Sequence, residues 1–575
     1  MTVSGGTRAF YSARQPRCAG PAERAFPLPN LAGCGWVAPG LLLATALGTR
    51  GGQSFRLGYV AGLAHYLASL YWLLLIPYRW HGIPLGPGLG WLALGAFLAL
   101  YPATWVWLCV KVSGAKSEVP GSGAGSTAAI RNLSLPHWTQ RTAWALFCAA
   151  AWVALEMLIT RLFGGFPWNL LGASQYRLVP LIQIASVTGV YGVSFLLVWT
   201  SVSLLNAMRT VLLRPAWRSV WIADILLPGL AVFALFVSGY QHLQHLPEPE
   251  RKLKVTLVQP GIPQTLIWDA DRNLERFADL LRLSEQALTN QTDLLIWPEA
   301  AVPSFAAWDT NIFPAITNLA REHRVWLILG SDDLGRLEHP TASEKYEYYN
   351  ASFLVNPDGQ FVSRYKKRNL VIFGEYVPLV RWLPFLKWFT PIEGGFTPGD
   401  RPVPFELDGW GGRPREPQAE TNDGSRVRSP HPRVKTSVLI CFEDIFPQLG
   451  RDSVEPDTDF LVNLTNDGWF GEGAAQWQQA ACAIFRAVEN GVPLVRCANT
   501  GLTGWADAGG RLRQIFADDR GSVYGVGYLT AEIPLLRPGE PRAPTFYRQH
   551  GDWFGWGCVG VALLTLVLVR FRKNS

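Results

Sequence analysis

Between residue 33 and Tyr240 the chain carries about six apolar stretches, near 33–48, 56–77, 88–110, 142–162, 181–206 and 219–240. A last stretch near 553–570 runs into the basic tail Arg570-Phe571-Arg572-Lys573. Crossing a bilayer core of about 30 Å as a helix takes about 20 consecutive apolar residues. Backbone groups in lipid must find their hydrogen bonds within the segment, so a span of this kind has one fold available to it, the membrane helix. The first stretch is short and broken by Gly and Pro, and is the weakest of the set. Across 575 residues, 49% are hydrophobic and only 17% charged, a balance that favours a membrane protein over one large soluble core. On this reading the chain divides into a basic segment 1–32, a helical membrane region 33–240, a soluble domain 241–548 and a terminal membrane helix with its tail, 549–575.

The basic residues orient the spans. Arg50 and Arg56 follow the first, Lys111, Lys116, Arg131 and Arg141 the third, and Arg209, Arg214 and Arg218 the fifth; with the tail, these segments are expected in the cytoplasm. Alternation then places residues 241–548 on the outer face, which for a bacterial inner membrane is the periplasm. It also leaves the N-terminus, with Arg8, Arg14, Arg17 and Arg24, outside. The net charge of +7 gathers beside apolar spans and not on an aromatic-studded soluble patch, which argues against a nucleic-acid partner. Eight Cys without CxxC pairs and nine scattered His give no zinc pattern and no disulfide framework, so neither metal nor cofactor is expected.

The soluble region alternates strand and helix. Strands are expected at Lys254–Gln259, up to Trp297, at Val325–Leu329 and on both sides of the turn Pro357-Asp358-Gly359; helices are expected at Asn273–Leu288 and near Ile312–Glu322. After Cys441 come a strand at 459–464, a helix at 474–489 and a strand at 493–498. This order predicts a layered α/β fold. Lys116–Pro136 and Gly411–Arg433 are polar segments read as surface loops.

Three apolar strands each end in one ionisable group: Glu299 after Leu294–Trp297, the pair Lys366 and Lys367 after Phe361–Tyr365, and Cys441 after Val438–Ile440. Singly, each has an ordinary reading as a core thiol or a solvated strand end. Together, a carboxylate, an ammonium and a thiol are the parts of an activated-nucleophile site. A thiol with a pKa near 8.5 is mostly protonated at neutral pH, so attack needs a base or a nearby cation. Glu299 can serve as the base, and a fixed lysine can steady the oxyanion that attack on a carbonyl creates. Lys366 and Lys367 share that chemistry, and strand alternation sends them to opposite faces, so only one can serve.

Trp297-Pro298-Glu299-Ala300, the run Tyr365–Pro378 and Leu439–Asp444 resemble the Glu-Lys-Cys motifs of the nitrilase superfamily. Phe373-Gly374-Glu375-Tyr376-Val377-Pro378 narrows the resemblance to its membrane branch, the apolipoprotein N-acyltransferases, as do Gln259–Gln264 with Trp268 and Asn466–Gly471. The likeness runs from about residue 33 to the C-terminus. It implies a multi-pass α-helical membrane bundle joined to a nitrilase-like α/β domain, an α-β-β-α sandwich, with one further N-terminal span. It selects Lys367 over Lys366 and implies site support or substrate contact for Glu375, Glu443, Trp268, Tyr376, Phe442 and Trp469. The loop Gly164–Asn169 is implied to frame the path of lipid to the site. Phe442, Asn369 and Ile372 stand where the family commonly has Tyr, His and Pro.

The implied reaction is a two-step acyl transfer. Cys441 takes an acyl group from a phospholipid, with phosphatidylethanolamine as the expected donor, and holds it as a thioester. The α-amine of a diacylglyceryl-cysteine at the N-terminus of an apolipoprotein then receives it. A membrane-tethered amidase that passes the same acyl group to water is the alternative.

Overall fold

The computed structural model describes residues 31–49, 51–77, 85–113, 137–213, 221–246, 250–267, 269–337, 346–379, 382–383, 395–409, 433–537 and 540–574. The basic segment up to residue 30, most of the two expected surface loops, and Trp268 lie outside them.

Among the described residues, five helical runs are long and apolar enough to cross a membrane: Gly86–Val112, Trp138–Ile159, Val190–Leu212, Trp221–Gln244 and Trp553–Phe571. The first consists of two helices, Gly86–Leu98 and Leu100–Val112. The stretch expected near 33–48 holds only the short helix Ala38–Ala46, and the next one forms Gly51–Ser69. The expected span 181–206 starts late, at Val190, because Gly189 at φ 68° ends two short turns that precede it. Helix Gly51–Ser69 packs closely on Leu100–Val112 through Gly58 and Gly62, one turn apart. A Cβ on Gly58 would lie 2.8 Å from Ala103 Cα, and one on Gly62 would lie 3.2 Å from Ala99 Cα. Small residues at this spacing let helix backbones approach where lipid gives no hydrophobic drive between helices.

The α/β part is built on two six-stranded sheets. The first runs β12-β1-β2-β3-β4-β5, from Gly527–Leu535 (β12), Arg251–Gln259 (β1), Leu294–Ile296 (β2), Trp326–Arg336 (β3), Tyr346–Val355 (β4) and Phe361–Lys366 (β5). The second runs β11-β10-β9-β8-β7-β6, from Leu512–Ile515 (β11), Gly504–Ala506 (β10), Leu494–Ala498 (β9), Phe460–Thr465 (β8), Val434–Ile440 (β7) and Pro404–Leu407 (β6). In each sheet the central strands, β1-β2-β3 and β7-β8-β9, are parallel, and the flanking pairs are antiparallel.

The sheets meet face to face over a dry core that includes Leu257, Ile296 and Ile328 from one side and Val438, Val462 and Val495 from the other. Helices Asn273–Leu288 and Ile312–His323 cover the outer face of the first sheet through Phe277, Leu280, Ile316 and Leu319. Helix Ala475–Asn490 covers the outer face of the second, and all sixteen of its residues are buried. Its remaining surface is covered by the membrane region: Ile484 and Phe485 share a core with Trp72, Trp168 and Tyr191. Gln478 Oε1 accepts hydrogen bonds from the indoles of Trp72 (3.0 Å) and Trp168 (2.8 Å). At the other end, Glu489 Oε1 accepts the N–H of Val190 at 2.9 Å, so a carboxylate of the α/β part caps a membrane helix where its dipole favours negative charge. The molecule is therefore an α-β-β-α sandwich fused, through one layer of that sandwich, to a bundle of apolar helices.

Candidate active site

Cys441, Glu299 and Lys367 each follow the C-terminal end of a strand, and the two-sheet packing brings those ends to one place. Strand β7 stops at Ile440, and Cys441 enters a short turn, Cys441–Ile445, with φ at +53°. A non-glycine residue in the left-handed region is strained, and the surroundings must hold it there. The Cys441 carbonyl accepts from Asn463 Nδ2 at 2.8 Å and Gln479 Nε2 at 3.0 Å, and the turn is braced by Glu443, whose Oε2 accepts the Ile440 N–H at 2.7 Å. Behind it the Arg496 guanidinium joins Asp444 (2.7 Å), Asn463 (2.8 Å) and Asp467 (2.9 Å), all buried. The turn after β7, strand β8 and the turn after β8 are thus tied by one cation on β9.

Glu299 follows β2 and is 6% exposed. Its Oε1 accepts from Lys367 Nζ at 3.2 Å and Asn350 Nδ2 at 2.8 Å, and its Oε2 accepts the Asn466 N–H at 3.0 Å. Lys367 Nζ also donates to Glu375 Oε1 at 2.9 Å, and Asn350 bridges the same two carboxylates with a second 2.8 Å bond. Glu375 is oriented in turn by the N–H of Val371 on its Oε2, 2.8 Å away. Alternation along the strand holds: Lys367 points into this cluster, whereas the Lys366 ammonium lies 3.3 Å from the centroid of the Tyr349 ring.

The electrostatics follow from burial and these partners. Burial alone would lower the Lys367 ammonium, but Glu299 and Glu375 outweigh it and hold the group well above the usual lysine range. Burial, reinforced by Glu299, pushes the Cys441 thiol well above the ordinary cysteine range despite Lys367. Burial therefore favours the protonated thiol at Cys441. The Lys367 cation and the Glu299 carboxylate are the charges that act on it most.

The remaining sequence-derived residues fall in three groups. Glu375 and Glu443 belong to the cluster, but differently. Glu443 does not pair with Lys367; it accepts from Tyr365 Oη (2.9 Å) and from the backbone of Arg368 (2.7 Å) and Asn369 (3.1 Å), which joins the lysine-bearing strand to the cysteine turn. The half-buried Phe442 ring lies 5.6 Å from Lys367 Nζ and packs edge-on against Phe446. Tyr376 and Trp469 are half-buried on loops at the rim, Tyr376 facing Gly164 of the membrane region and Trp469 in the turn Asp467–Phe470. Trp268 is outside the described residues.

Sequence reasoning missed Asn350, which bridges the two carboxylates, and the Asn463–Gln479–Arg496 support. An arginine in the apolar run Leu494-Val495-Arg496-Cys497-Ala498 was the available signal, because a charge in a buried strand has to be paired. Gly330 on β3 is a further requirement. A Cβ there would lie 2.5 Å from the Pro298 carbonyl and 2.7 Å from Glu299 Cα. Gly330→Ala is expected to push Glu299 off Lys367 and to destabilise the fold by about 1–3 kcal/mol. Thermal unfolding and acyl-transfer rate, measured together, check this; wild-type values for both would refute the packing argument.

Two family models match the chain, one described as the apolipoprotein N-acyltransferase N-terminal domain over residues 23–203 and one as carbon-nitrogen hydrolase over residues 254–528. An apolipoprotein N-acyltransferase of Geobacter metallireducens is 35% identical over 96% of this chain and 93% of its own length. Relatives of the same name from Methylococcus capsulatus (30% identity, 90% and 88% covered) and Rickettsia prowazekii (27%, 90% and 89%) also span nearly the whole chain. Among solved structures, Nit3 of Saccharomyces cerevisiae, a nitrilase-superfamily member, aligns with 50% of this chain and 91% of its own at 18% identity and a TM-score of 0.33. An amidase of the same superfamily from Nesterenkonia sp. aligns with 53% of this chain and 94% of its own at 19% identity and a TM-score of 0.32.

Proposed function

The chain belongs to the apolipoprotein N-acyltransferase family, and we propose that it carries out N-acylation through a thioester on Cys441. It is an acyltransferase of lipoprotein biosynthesis, with a lipid donor and a lipoprotein acceptor. In our reading the donor is a phospholipid such as phosphatidylethanolamine, and the acceptor is the α-amine of an N-terminal diacylglyceryl-cysteine. The observation that carries the reading is the ammonium of Lys367 held between Glu299 and Glu375 beside a strained cysteine turn.

In the first half-reaction Glu299 takes the thiol proton as Sγ attacks the donor ester. Charge develops on the carbonyl oxygen, and Lys367 steadies it. The C–O bond then breaks, the lysophospholipid leaves with the proton, and the acyl group stays on sulfur. In the second half-reaction the acceptor amine displaces Sγ and forms the amide. Glu375 and Asn350 keep Lys367 and Glu299 in register, and Glu443 holds the cysteine turn; Tyr376, Phe442 and Trp469 line the substrates' path. Both substrates are anchored in lipid, so fusion of the sandwich to membrane helices raises their effective concentration at the thiol. The charge distribution supports a bacterial inner-membrane location with the α/β part in the periplasm.

Intact-mass spectrometry of the detergent-solubilised protein tests this. With phosphatidylethanolamine the mass should rise by one acyl group, and a diacylated lipopeptide with a free N-terminal cysteine amine should remove it and become acylated. An adduct that disappears while the peptide stays unmodified would identify a hydrolase; no adduct at all would refute the thioester.

A further inference from the structure

We propose that Asp332 is a further catalytic carboxylate, which accepts the proton of the acceptor's ammonium so that the free amine can attack the thioester. The inference rests on the two-step reading above. Asp332 lies on β3 directly opposite Asn350 on β4. Residues opposed in an antiparallel pair share a face, with Cβ atoms about 5 Å apart. Asn350 is the residue whose amide bridges Glu299 and Glu375. Two positions before Asp332, and on the same face, Gly330 lies directly under the backbone of Glu299. Asp332 therefore shares the face that carries the site's carboxylates; it is half-buried, and among the described residues its carboxylate has no hydrogen-bond or ion-pair partner.

Charge is what this arrangement leaves unexplained. Lys367 already faces two carboxylates, and a third, unpaired, is a repulsive addition that neither packing nor pairing offsets. An incoming cation removes that penalty, and the acceptor amine, with a pKa of about 7.7–8.0, arrives mainly as ammonium. Glu299 has another task in this half-reaction, the return of a proton to Sγ, so the ammonium proton needs a second acceptor. Burial, then Glu375 and Glu299, push the Asp332 carboxyl up to about 7, near the amine with which it would exchange a proton. The charged groups that act on Asp332 from the neighbouring elements are Glu375 and Glu299, and Tyr348 stands two positions along β4 on the same face.

The step balances. One ammonium proton passes to Asp332, and the nitrogen lone pair attacks the thioester carbonyl. The C–S bond then breaks with its electron pair on Sγ. A second nitrogen proton returns to sulfur through Glu299, leaving an amide, a free Cys441 thiol and a protonated Asp332 that releases its proton to water.

The test uses the full chain in detergent. Wild type and Asp332→Asn are loaded from phosphatidylethanolamine and then mixed with the free-amine lipopeptide in a single turnover between about pH 6 and pH 9. Loading is expected to agree within about twofold, and aminolysis by the variant to be slower by about 10- to 100-fold at pH 7. The deficit should narrow as pH rises past the amine's own pKa, where solution supplies free amine. Equal aminolysis at pH 7, a deficit independent of pH, or a variant that fails to load while wild type loads would each overturn the proposal. Absence of an adduct on wild type would instead overturn the thioester reading. If Asp332→Asn does not fold, Asp332→Ser is put through the same comparison and judged by the same outcomes.

Discussion

Replacing Cys441 by Ala is expected to abolish acyl transfer, with a loss of at least about a thousandfold and no acyl adduct by intact mass. The change removes one sulfur from a half-buried position and leaves the turn's braces from Asn463, Gln479 and Glu443 in place, so the unfolding midpoint should stay near that of wild type. A small alanine in the left-handed conformation adds little strain beyond what cysteine already bears. The decisive comparison is therefore activity against stability. Retained lipopeptide acylation by a well-folded Cys441→Ala protein would remove the thioester from the mechanism and leave direct transfer between the two lipids.

The largest effect on stability is expected at Arg496. Its guanidinium pairs with Asp444 and Asp467 and bonds Asn463, with all four side chains out of water. Arg496→Met keeps much of the volume but leaves two buried carboxylates facing each other. Breaking a buried pair in this way costs about 3–5 kcal/mol, and here two pairs are broken at once. Thermal unfolding should begin roughly 10 °C lower. Activity should fall with it, because the same hub fixes the carbonyl of Cys441 through Asn463 and Gln479 and the turn Asp467–Phe470 near the rim. An Arg496→Lys variant, which restores the charge without the fork, should recover part of the stability and little of the geometry. Wild-type stability in Arg496→Met would show that the carboxylates take up protons at no cost, and the hub would then not be a structural requirement.

The positions of Glu299, Lys367 and Cys441 were legible because each breaks a pattern: an apolar strand ends abruptly in one ionisable side chain, and three such endings in one chain constrain one another. The alternation that separates Lys366 from Lys367 was legible for the same reason. Asp332 was not, since Ser331-Asp332-Asp333 reads along the sequence as an acidic strand end, and only the pairing of β3 with β4 shows which aspartate meets Asn350. Asp333 points the other way, to Arg364. Sheet order was hidden too: β1 pairs with β12, so Val255 meets Ala531 across nearly the whole α/β part. Short strands such as β10 and β11 carry too few residues for a period of two to be seen. In the membrane region, length and apolarity located the long helices, but the late start at Val190 follows from the positive φ of Gly189, a local event that averaged hydropathy smooths over.

Helix Ala475–Asn490 has no side left for water. Adjacent residues on it have different allegiances: Gln478 receives two indoles from the membrane helices and loops, while Gln479 grips the backbone of Cys441. The α/β part is consequently not a portable module. Excised from the bundle, it would expose Ile484, Phe485 and the Val190-binding carboxylate of Glu489 where lipid-embedded partners now stand, and such a fragment is expected to aggregate before it can be assayed. One layer serves as the outer wall of the enzyme and the inner wall of the membrane bundle, so neither half can be redesigned, swapped or trimmed without the other.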